Sequence, residues 1–455
     1  MKYFFKLVLY FSYALIRITI VYSQMSDIDS NFETEILLRR QGTIKWGTEN
    51  EIINLLKELE SENLTTFDED LFNVMNSSSN EKVSDTILVY FTKTKNIKGT
   101  NYALSILENR ETKNTTNIIS AIAYVEVLKI KDAVPFLRDI IESEETRFIS
   151  SAVRAIGACG SNDDSVALFI LDHLENGTIS DSLISDCIFA LGEIKSEKSV
   201  EYLINMAENT DEKASRRMIA IEALGKIADP KSLNPILRLA QDDDANIRLY
   251  CYNSLSSFED KKIETQILYG FRDSYYKIRM VAAKLSGEKK LFGAVPFLIF
   301  RTQYDEIQPV KEESIKALGL IGNTDSEIFL SDYFRKKDTS EILKIITAKS
   351  LLQINKKEHI QSIIIAYEDA KNKKHKALQS GLANVITKIV DDSLLEFAKY
   401  LIISNDIIEK NYALDISIIN KFEEMSEQIE ILSNEINNPS LALKATKALK
   451  EINKK

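Results

Sequence analysis

The chain has 455 residues, of which 44% are hydrophobic and only 14 are glycine and 6 proline. This length excludes one single-core domain, and the scarcity of turn-forming residues disfavours β architectures, so long helices joined by short turns are predicted. The formal net charge of -10 disfavours nucleic-acid binding, which requires a basic surface that releases phosphate counterions.

The first 23 residues have the pattern of a secretory signal peptide. A positively charged start precedes the apolar run at residues 7–16, and small side chains near Ser23 predict cleavage after that residue. We therefore expect an exported protein that is periplasmic or associated with the cell envelope. Arg17 departs from the signal-peptide pattern, and the alternative is an uncleaved membrane anchor through residues 3–22.

Residues 24–130 show apolar positions at helical spacing but no shared motif. They are predicted to form divergent helical repeats. Thr48 and Glu51 have the spacing of a capping box directly after Gly47, which predicts a helix start at this point.

Residues 131–389 contain an internal repeat with a recurring helix end of the form Ala-Leu-Gly. Its glycines are Gly157, Gly192, Gly225 and Gly319. The first three follow one another at intervals of 35 and 33 residues. Pro135, Pro235 and Pro296 are predicted to lie just inside helix starts, where proline loses no helical hydrogen bond.

An acid followed six residues later by a base recurs in the same phase. The pairs are Asp211 with Arg217, Asp242 with Arg248, Asp273 with Arg279, Asp305 with Lys311, Asp338 with Lys344 and Asp369 with His375. Successive bases lie 31 to 33 residues apart. Each acid is predicted to cap the following helix, and each base to bind an acid of its own or the adjoining turn, so that the pairs form a structural ladder. A ligand-binding basic stripe is the alternative.

Four tyrosines interrupt this pattern at mid-chain: Tyr250, Tyr252, Tyr275 and Tyr276. Tyrosine is enriched at binding hot spots, which predicts an exposed patch formed by one tyrosine of each neighbouring pair. The alternative is that these rings fill space where the Ala-Leu-Gly packing is missing. Residues two apart on a helix cannot both face the core, so at least one of Tyr250 and Tyr252 should be exposed.

Residues 390–455 keep the helical pattern but lose the motif. The last helix pairs an apolar stripe with a lysine-rich face, as a terminal capping repeat requires. The fold class predicted for the whole chain is all-α: an α-solenoid of roughly twelve antiparallel helix pairs.

The repeat unit, the Ala-Leu-Gly ending, the early proline and the acid–base ladder resemble the HEAT repeats. The resemblance is greatest to the short bacterial variety first described in phycobilin lyases. It implies an ARM/HEAT-like superhelix with a surface that binds other proteins. Ile149 and Ile184 depart from the pattern, since they occupy the basic position in the two repeats before Arg217.

The cysteines and histidines give no sign of a metal or cofactor site. They are Cys159, Cys187, Cys251, His173, His359 and His375. The cysteines are odd in number and lie in apolar runs, which indicates buried thiols, and no histidine has a partner at zinc-ligand spacing. No cofactor is predicted.

These observations favour a non-enzymatic scaffold or adaptor of the cell envelope whose partner is another protein. A phycobilin lyase-like or other HEAT-repeat enzyme, or an enzyme accessory subunit, is the first alternative, although the chain has no recognisable nucleophile or phosphate-binding motif. A nucleic-acid-binding array is the second. Membrane contact is expected only if the N-terminal segment stays uncleaved.

Overall fold

A computed structural model describes residues 34–62, 64–78, 80–143 and 146–454. The predicted signal peptide, residues 1–23, lies outside these ranges. The described residues form α helices joined by turns and short 3₁₀ segments, and no strand occurs among them.

The chain divides into two compact units, one ending at Ser232 and the other beginning at Leu233. The helices of the first unit are α1 (34–46), α2 (Glu49–Glu62), α3 (Asp68–Ser77), α4 (Glu81–Lys93), α5 (Thr100–Glu108), α6 (Thr115–Leu128), α7 (Val134–Glu142), α8 (Thr146–Cys159), α9 (Asp164–Glu175), α10 (Ile184–Ile194), α11 (Val200–Glu208) and α12 (Ala214–Ile227). Helix α13 (Pro230–Leu239) includes the point of division.

The second unit continues the same alternation of helices. They are α14 (Ala245–Ser254), α15 (Lys261–Gly270), α16 (Tyr276–Glu288), α17 (Val295–Tyr304), α18 (Gln308–Ile321), α19 (Thr324–Arg335), α20 (Glu341–Ile354), α21 (Lys356–Asn372), α22 (Lys376–Ile386), α23 (Leu395–Ile402), α24 (Ile407–Asn420), α25 (Ser426–Ser433) and α26 (Pro439–Ile452).

Helices alternate between two packing roles within each unit. An odd-numbered helix packs against the even-numbered helix that follows it, as α7 does on α8 and α17 on α18. The even-numbered helices also pack on one another in succession, as α8, α10 and α12 do in the first unit and α16, α18 and α20 in the second. Each helix pair therefore buries its apolar side chains against its neighbours in the chain.

Glycine makes the contact between successive even-numbered helices close. A Cβ atom on Gly157 would lie 2.8 Å from the Cα of Ala190, and one on Gly192 would lie 2.8 Å from the Cβ of Ala223. The same contact recurs in the second unit, at Gly287 with Ala317 and at Gly319 with Ser350. The glycine of one motif thus meets the small first residue of the next motif, which explains why the two recur together.

Two of the three repeat prolines start helices as predicted. Pro135 and Pro296 are the second residues of α7 and α17, and a 3₁₀ turn precedes each helix. Pro235 lies inside α13 instead, because that helix already begins at Pro230. The turn before the proline is α-helical in this repeat, and the prediction for Pro235 was wrong.

Several helices end in a left-handed residue that carries a side chain. Helices α6, α10 and α24 end at Lys129, Lys195 and Lys421, whose φ angles are 56°, 60° and 51°. Helix α18 has Gly322 in the same position, with a φ angle of 64°. This conformation costs a residue with a Cβ atom roughly 1–2 kcal/mol, a cost that glycine avoids.

The described residues have the predicted fold class, all-α, with helix pairs that pack in succession as in a solenoid. Helix pairs continue on both sides of residues 130 and 389, where the sequence predicted changes in repeat type. In the described ranges, no helix combines the length and the apolar character needed to cross a bilayer.

Candidate functional site

Two rungs of the acid–base ladder lie between successive repeats of the second unit. Arg248 donates through Nε and Nη2 to both carboxylate oxygens of Asp273, each at 2.9 Å, and Arg279 binds Asp305 in the same way at 2.8 and 2.9 Å. Each arginine also donates to the carbonyl oxygen of the acid six residues before it, at 2.9 Å for Asp242 and 3.0 Å for Asp273. A base therefore binds the side chain of the next acid and the backbone of its own.

The acids of these rungs organise the turns in which they lie. Asp242, Asp273 and Asp305 each accept the backbone N–H two residues later through Oδ1, at 2.9, 2.8 and 3.0 Å. Those N–H groups belong to the residue just before each helix, not to its first turn. Each acid thus forms an Asx turn two residues before the N-cap position, and the prediction that it caps the helix was wrong.

Asp305 is the most enclosed carboxylate of the ladder. Its side chain is 0% exposed, and Arg301 approaches it to 3.3 Å in addition to Arg279. Burial alone would raise the pKa of Asp305, but the hydrogen bonds from Arg279 and from the Ile307 N–H outweigh burial, so the pKa lies below its ordinary value. The same balance lowers the pKa of Asp273. Both rungs are therefore charge-assisted pairs.

The ladder does not continue through the lysines. Lys311 donates to the carbonyl oxygen of Gln303 at 3.4 Å, while Asp338 is exposed to solvent. No ion pair joins Asp338 to Lys344 in the described part of the chain. Lysine lacks the planar fork with which arginine binds a carboxylate and a carbonyl together, so the motif persists here without its contact.

The last predicted pair also separates. Asp369 binds Lys373, the residue after its own helix, at 2.8 Å, and His375 Nδ1 lies 2.7 Å from Oε1 of Glu341. His375 therefore faces the preceding even-numbered helix, and its predicted pairing with Asp369 was wrong.

The first predicted pair, in the first unit, is replaced by other contacts. Arg217 is buried and donates from Nε to the carbonyl oxygen of Ala207 at 2.9 Å, while Asp211 is exposed. Its neighbour Arg216 binds Asp181 of the preceding repeat at 2.6 Å. Hydrogen bonds from Lys213 and Arg216 lower the pKa of Asp181 to about 2. The repeat pattern did not indicate Arg216, because the equivalent positions of the next two repeats carry Ile247 and Ile278.

A buried glutamate joins the divergent repeats in place of the ladder. Glu409 on α24 is 1% exposed and accepts from the hydroxyl of Tyr367 at 2.7 Å, from Lys371 at 2.7 Å and from Gln379 at 3.1 Å. Burial opposes ionisation, but the hydrogen bonds, led by that of Lys371, outweigh it and lower the pKa of Glu409. We call these four residues the Glu409 cluster.

The four mid-chain tyrosines take different positions. Tyr252 is only 2% exposed, and its hydroxyl donates to the carbonyl oxygen of Gln266 and accepts from its Nε2, both at 2.9 Å. Tyr250 is half-buried, as are Tyr275 and Tyr276, whose rings meet edge to face with centroids 5.7 Å apart. Tyr252 is therefore a core residue. The expectation that one of Tyr250 and Tyr252 is exposed was wrong, because packing half-buries Tyr250, and a binding role for the other three tyrosines stays a prediction.

A more exposed aromatic surface lies on α17, and sequence analysis missed it. Phe292, Phe300 and Tyr304 are 63%, 52% and 65% exposed, and the rings of Phe300 and Tyr304 lie 5.2 Å apart. The signal was present in the sequence, because residues four apart share a helix face that the buried Val295 and Leu298 do not occupy. We call Phe300 and Tyr304 the α17 aromatic face, and Phe292 lies in the 3₁₀ turn before this helix.

The cysteines are buried free thiols. Burial raises the pKa of Cys159 and of Cys187 to about 12, so neither thiol ionises readily, and Cys251 is likewise buried. Within the described ranges, no three His, Cys, Asp or Glu side chains are grouped so that they could hold a metal ion.

A family model described as "Spirochaete HEAT repeat protein" matches residues 44–448, which is most of the chain. The chain belongs to this family. In this HEAT repeat protein the match includes both compact units and the divergent repeats after residue 389. No curated protein matches the chain.

Solved structures similar to this HEAT repeat protein share little sequence with it. YibA of Escherichia coli is 15% identical, with 57% of this chain and 96% of YibA covered and a TM-score of 0.39. Human deoxyhypusine hydroxylase is 12% identical, with coverage of 58% and 98% and a TM-score of 0.26. Kap121p is 11% identical, with 93% of this chain and 54% of Kap121p covered and a TM-score of 0.46. Likenesses at this level carry no information about function.

Proposed function

We propose that the protein is a non-enzymatic scaffold or adaptor that binds another protein through its repeat surface. The observation that carries this proposal is the α17 aromatic face. Exposing aromatic side chains of this size to water is energetically unfavourable, and aromatic side chains are enriched at the centres of protein interfaces. Phe300 and Tyr304 lie one helical turn apart, so a partner can cover both rings at once.

Export to the cell envelope is the second part of the proposal. Its support is the charged start, apolar run and small residues before Ser23. If the segment is cleaved, mature protein from the native cells begins at Gln24. N-terminal sequencing of the mature protein and its distribution between cytoplasmic and envelope fractions test this part independently of the partner.

The α17 aromatic face is tested by a double substitution, Phe300→Ser with Tyr304→Ser. Both side chains are exposed, so the melting temperature should stay nearly unchanged, since exposed substitutions alter stability by about 0.5 kcal/mol or less. Recovery of cross-linked partner from intact cells should fall at least about tenfold, as expected when interface hot spots are removed.

The matched control changes two exposed apolar residues elsewhere, Ile436→Ser with Leu443→Ser, which are 91% and 59% exposed. This control should recover the partner as well as the wild-type protein does. Equal recovery by both double variants would remove the α17 aromatic face from the interface. A wild-type protein that cross-links to no protein beyond background would overturn the scaffold function itself.

A further inference from the structure

An apolar groove separates α20 from α22 in the second unit. Its volume is about 500 Å³, and its apolar lining consists of Ile345, Leu352, Val385 and Ile389. Lys349, Gln353, Asn384 and Lys388 are its polar lining residues. An open cavity of this size that combines apolar and polar lining residues has the character of a binding site.

The groove exists because the glycine of the repeat motif is missing from α20. Gly319 on α18 lets α20 approach closely. A Cβ atom on Gly319 would lie only 2.6 Å from the Cβ of Ser350 on α20. The next motif reads Ser350-Leu351-Leu352, with leucine in place of glycine. The Leu352 side chain keeps α22 from the same approach, and the space beside it stays open.

The two helices still meet closely at one end of the groove. A Cβ atom on Gly381 of α22 would lie 2.1 Å from Cδ1 of Ile345 on α20. Glycine at this point accommodates the isoleucine and closes that end. The groove then runs along both helices towards Gln353 and Ile389.

The length of the groove matches two turns of a bound helix. Its lining on α20 extends from Ile345 to Gln353, a distance of eight helical steps that rise about 12 Å. A helix that presents apolar residues at positions i, i+4 and i+7 spans about 10 Å, so three such side chains fit along the groove.

The rim of the groove is positively charged in a chain of net charge -10. Lys349 and Lys388 are both exposed, and neither forms an ion pair among the described residues. Helix α22 has no acidic residue, and the only one on α20, Glu341, is engaged by His375 at 2.7 Å. Neither lysine is therefore neutralised by a carboxylate of α20 or α22.

We propose that this groove binds an acidic amphipathic helix of a partner protein. The apolar side chains of the partner helix enter between Leu352 and Val385, and its carboxylates bind Lys349 and Lys388. The proposal rests on the scaffold function above and specifies the chemistry of one partner segment. Charge complementarity sets the orientation of the helix, and burial of its apolar side chains supplies most of the affinity.

The test uses purified full-length protein and two fluorescent, stapled helical peptides of about fifteen residues. Both carry leucines at i, i+4 and i+7, and they differ only in flanking residues, glutamate in one and lysine in the other. Fluorescence anisotropy should show that the glutamate peptide binds at least about tenfold more tightly. The variant Lys349→Glu with Lys388→Glu should reverse this preference.

Two further variants separate the groove from general effects. Lys447→Glu with Lys450→Glu reverses two exposed charges on α26 and should leave the preference for the glutamate peptide unchanged. Val385→Asp places a charge in the apolar lining and should weaken both peptides. Circular dichroism and melting temperature check that each variant is folded.

The outcomes distinguish the groove from the scaffold function. Equal affinity of the wild-type protein for the two peptides, or an unchanged preference in the Lys349→Glu/Lys388→Glu variant, overturns the groove proposal even if a partner is captured in cells. Saturable binding of oleate without peptide binding assigns the groove to an acyl chain and overturns it as well. A reversed peptide preference with no protein partner in cells supports the groove and contradicts the scaffold function.

Discussion

The repeats around Arg279 and the repeats around Glu409 hold a buried carboxylate in different ways. In both places an acid near the start of an even-numbered helix accepts hydrogen bonds from the repeat before it. Asp305 receives two bonds from the single side chain of Arg279. Glu409 receives its bonds from Tyr367, Lys371 and Gln379. One arginine thus does in the ladder what three residues do in the Glu409 cluster.

The difference shows that loss of a sequence motif is not loss of the contact. Arginine concentrates its donors in one planar fork, so a ladder rung needs one base and one acid at a fixed spacing and is visible as a period. The donors of the Glu409 cluster come from α21 and α22 and follow no period. The first divergent repeat is therefore joined to the repeat before it, by side chains that sequence spacing cannot reveal.

Removing the arginine of the most buried rung should have the largest effect. Arg279→Ala leaves the fully enclosed Asp305 without its bidentate partner, which should lower the free energy of unfolding by about 3–5 kcal/mol. Lys311→Ala is the matched control, since Lys311 has the same repeat position but contacts only a carbonyl oxygen, and it should cost less than about 1 kcal/mol. Urea unfolding followed by circular dichroism measures the free energy of unfolding of both variants. Equal losses of stability would show that the Arg279–Asp305 pair contributes nothing to stability.

Removing the cation of the Glu409 cluster should have a smaller effect. Lys371→Met keeps the aliphatic stem but not the charge, and Glu409 keeps its bonds from Tyr367 and Gln379. We expect a loss of about 1–3 kcal/mol, because Lys371 is 34% exposed and water can partly replace it. Lys447→Met, at an exposed position on α26, should leave the unfolding midpoint unchanged. A loss for Lys371→Met as large as that for Arg279→Ala would contradict the idea that three donors share the task.

The smallest effect should be a change in acid sensitivity that involves both regions. The pKa values of Asp305 and Glu409 are lowered in the folded protein, so the unfolded chain takes up protons first as the pH falls. The stability from these groups is present above their unfolded pKa values, at about pH 4, and is lost as the pH falls through the folded values.

Substituting one of these acids should make the pH dependence shallower. Between about pH 5 and pH 3, the free energy of unfolding should fall less steeply for Asp305→Asn and for Glu409→Gln than for the wild-type protein, by up to about 1.4 kcal/mol per pH unit for each proton no longer taken up. Urea unfolding at a series of pH values measures the slopes. Slopes equal to that of the wild-type protein would mean that these carboxylates titrate alike in the folded and unfolded chain.

The fold was predictable because local sequence motifs mark the helix starts and helix ends of each repeat. Thr48 and Glu51 predicted a helix start, and the Thr48 N–H and hydroxyl both bind the Glu51 carboxylate, at 2.7 and 2.9 Å, where α2 begins. The Ala-Leu-Gly motif predicted the helical repeat. The structure was needed to show what the motif does, which is to place the glycine of one helix against the small residue of the next. Spacing alone does not say which residues of different repeats are in contact.

The candidate surfaces were less predictable, because exposure depends on the neighbours of a helix. The two-residue separation predicted that Tyr250 and Tyr252 face different ways. Which of them enters the core depends on the neighbouring helix, where Tyr252 binds Gln266. Leu352 looked like an ordinary variation of the motif in the sequence. Its consequence is an open groove beside α22. This groove depends on the distance between α20 and α22, and a sequence pattern does not encode that distance.

The left-handed lysines at helix ends have a consequence for engineering. Lys129, Lys195 and Lys421 lie in separate repeats, so the effects of changing them should be nearly additive. Glycine at each position would relieve roughly 1 kcal/mol of backbone strain, less the small gain that a positive charge provides at a helix end. The natural chain therefore stays below the thermal tolerance that its own fold allows, and a heat-resistant version lies a few substitutions away without any change to its core or to its proposed binding surfaces.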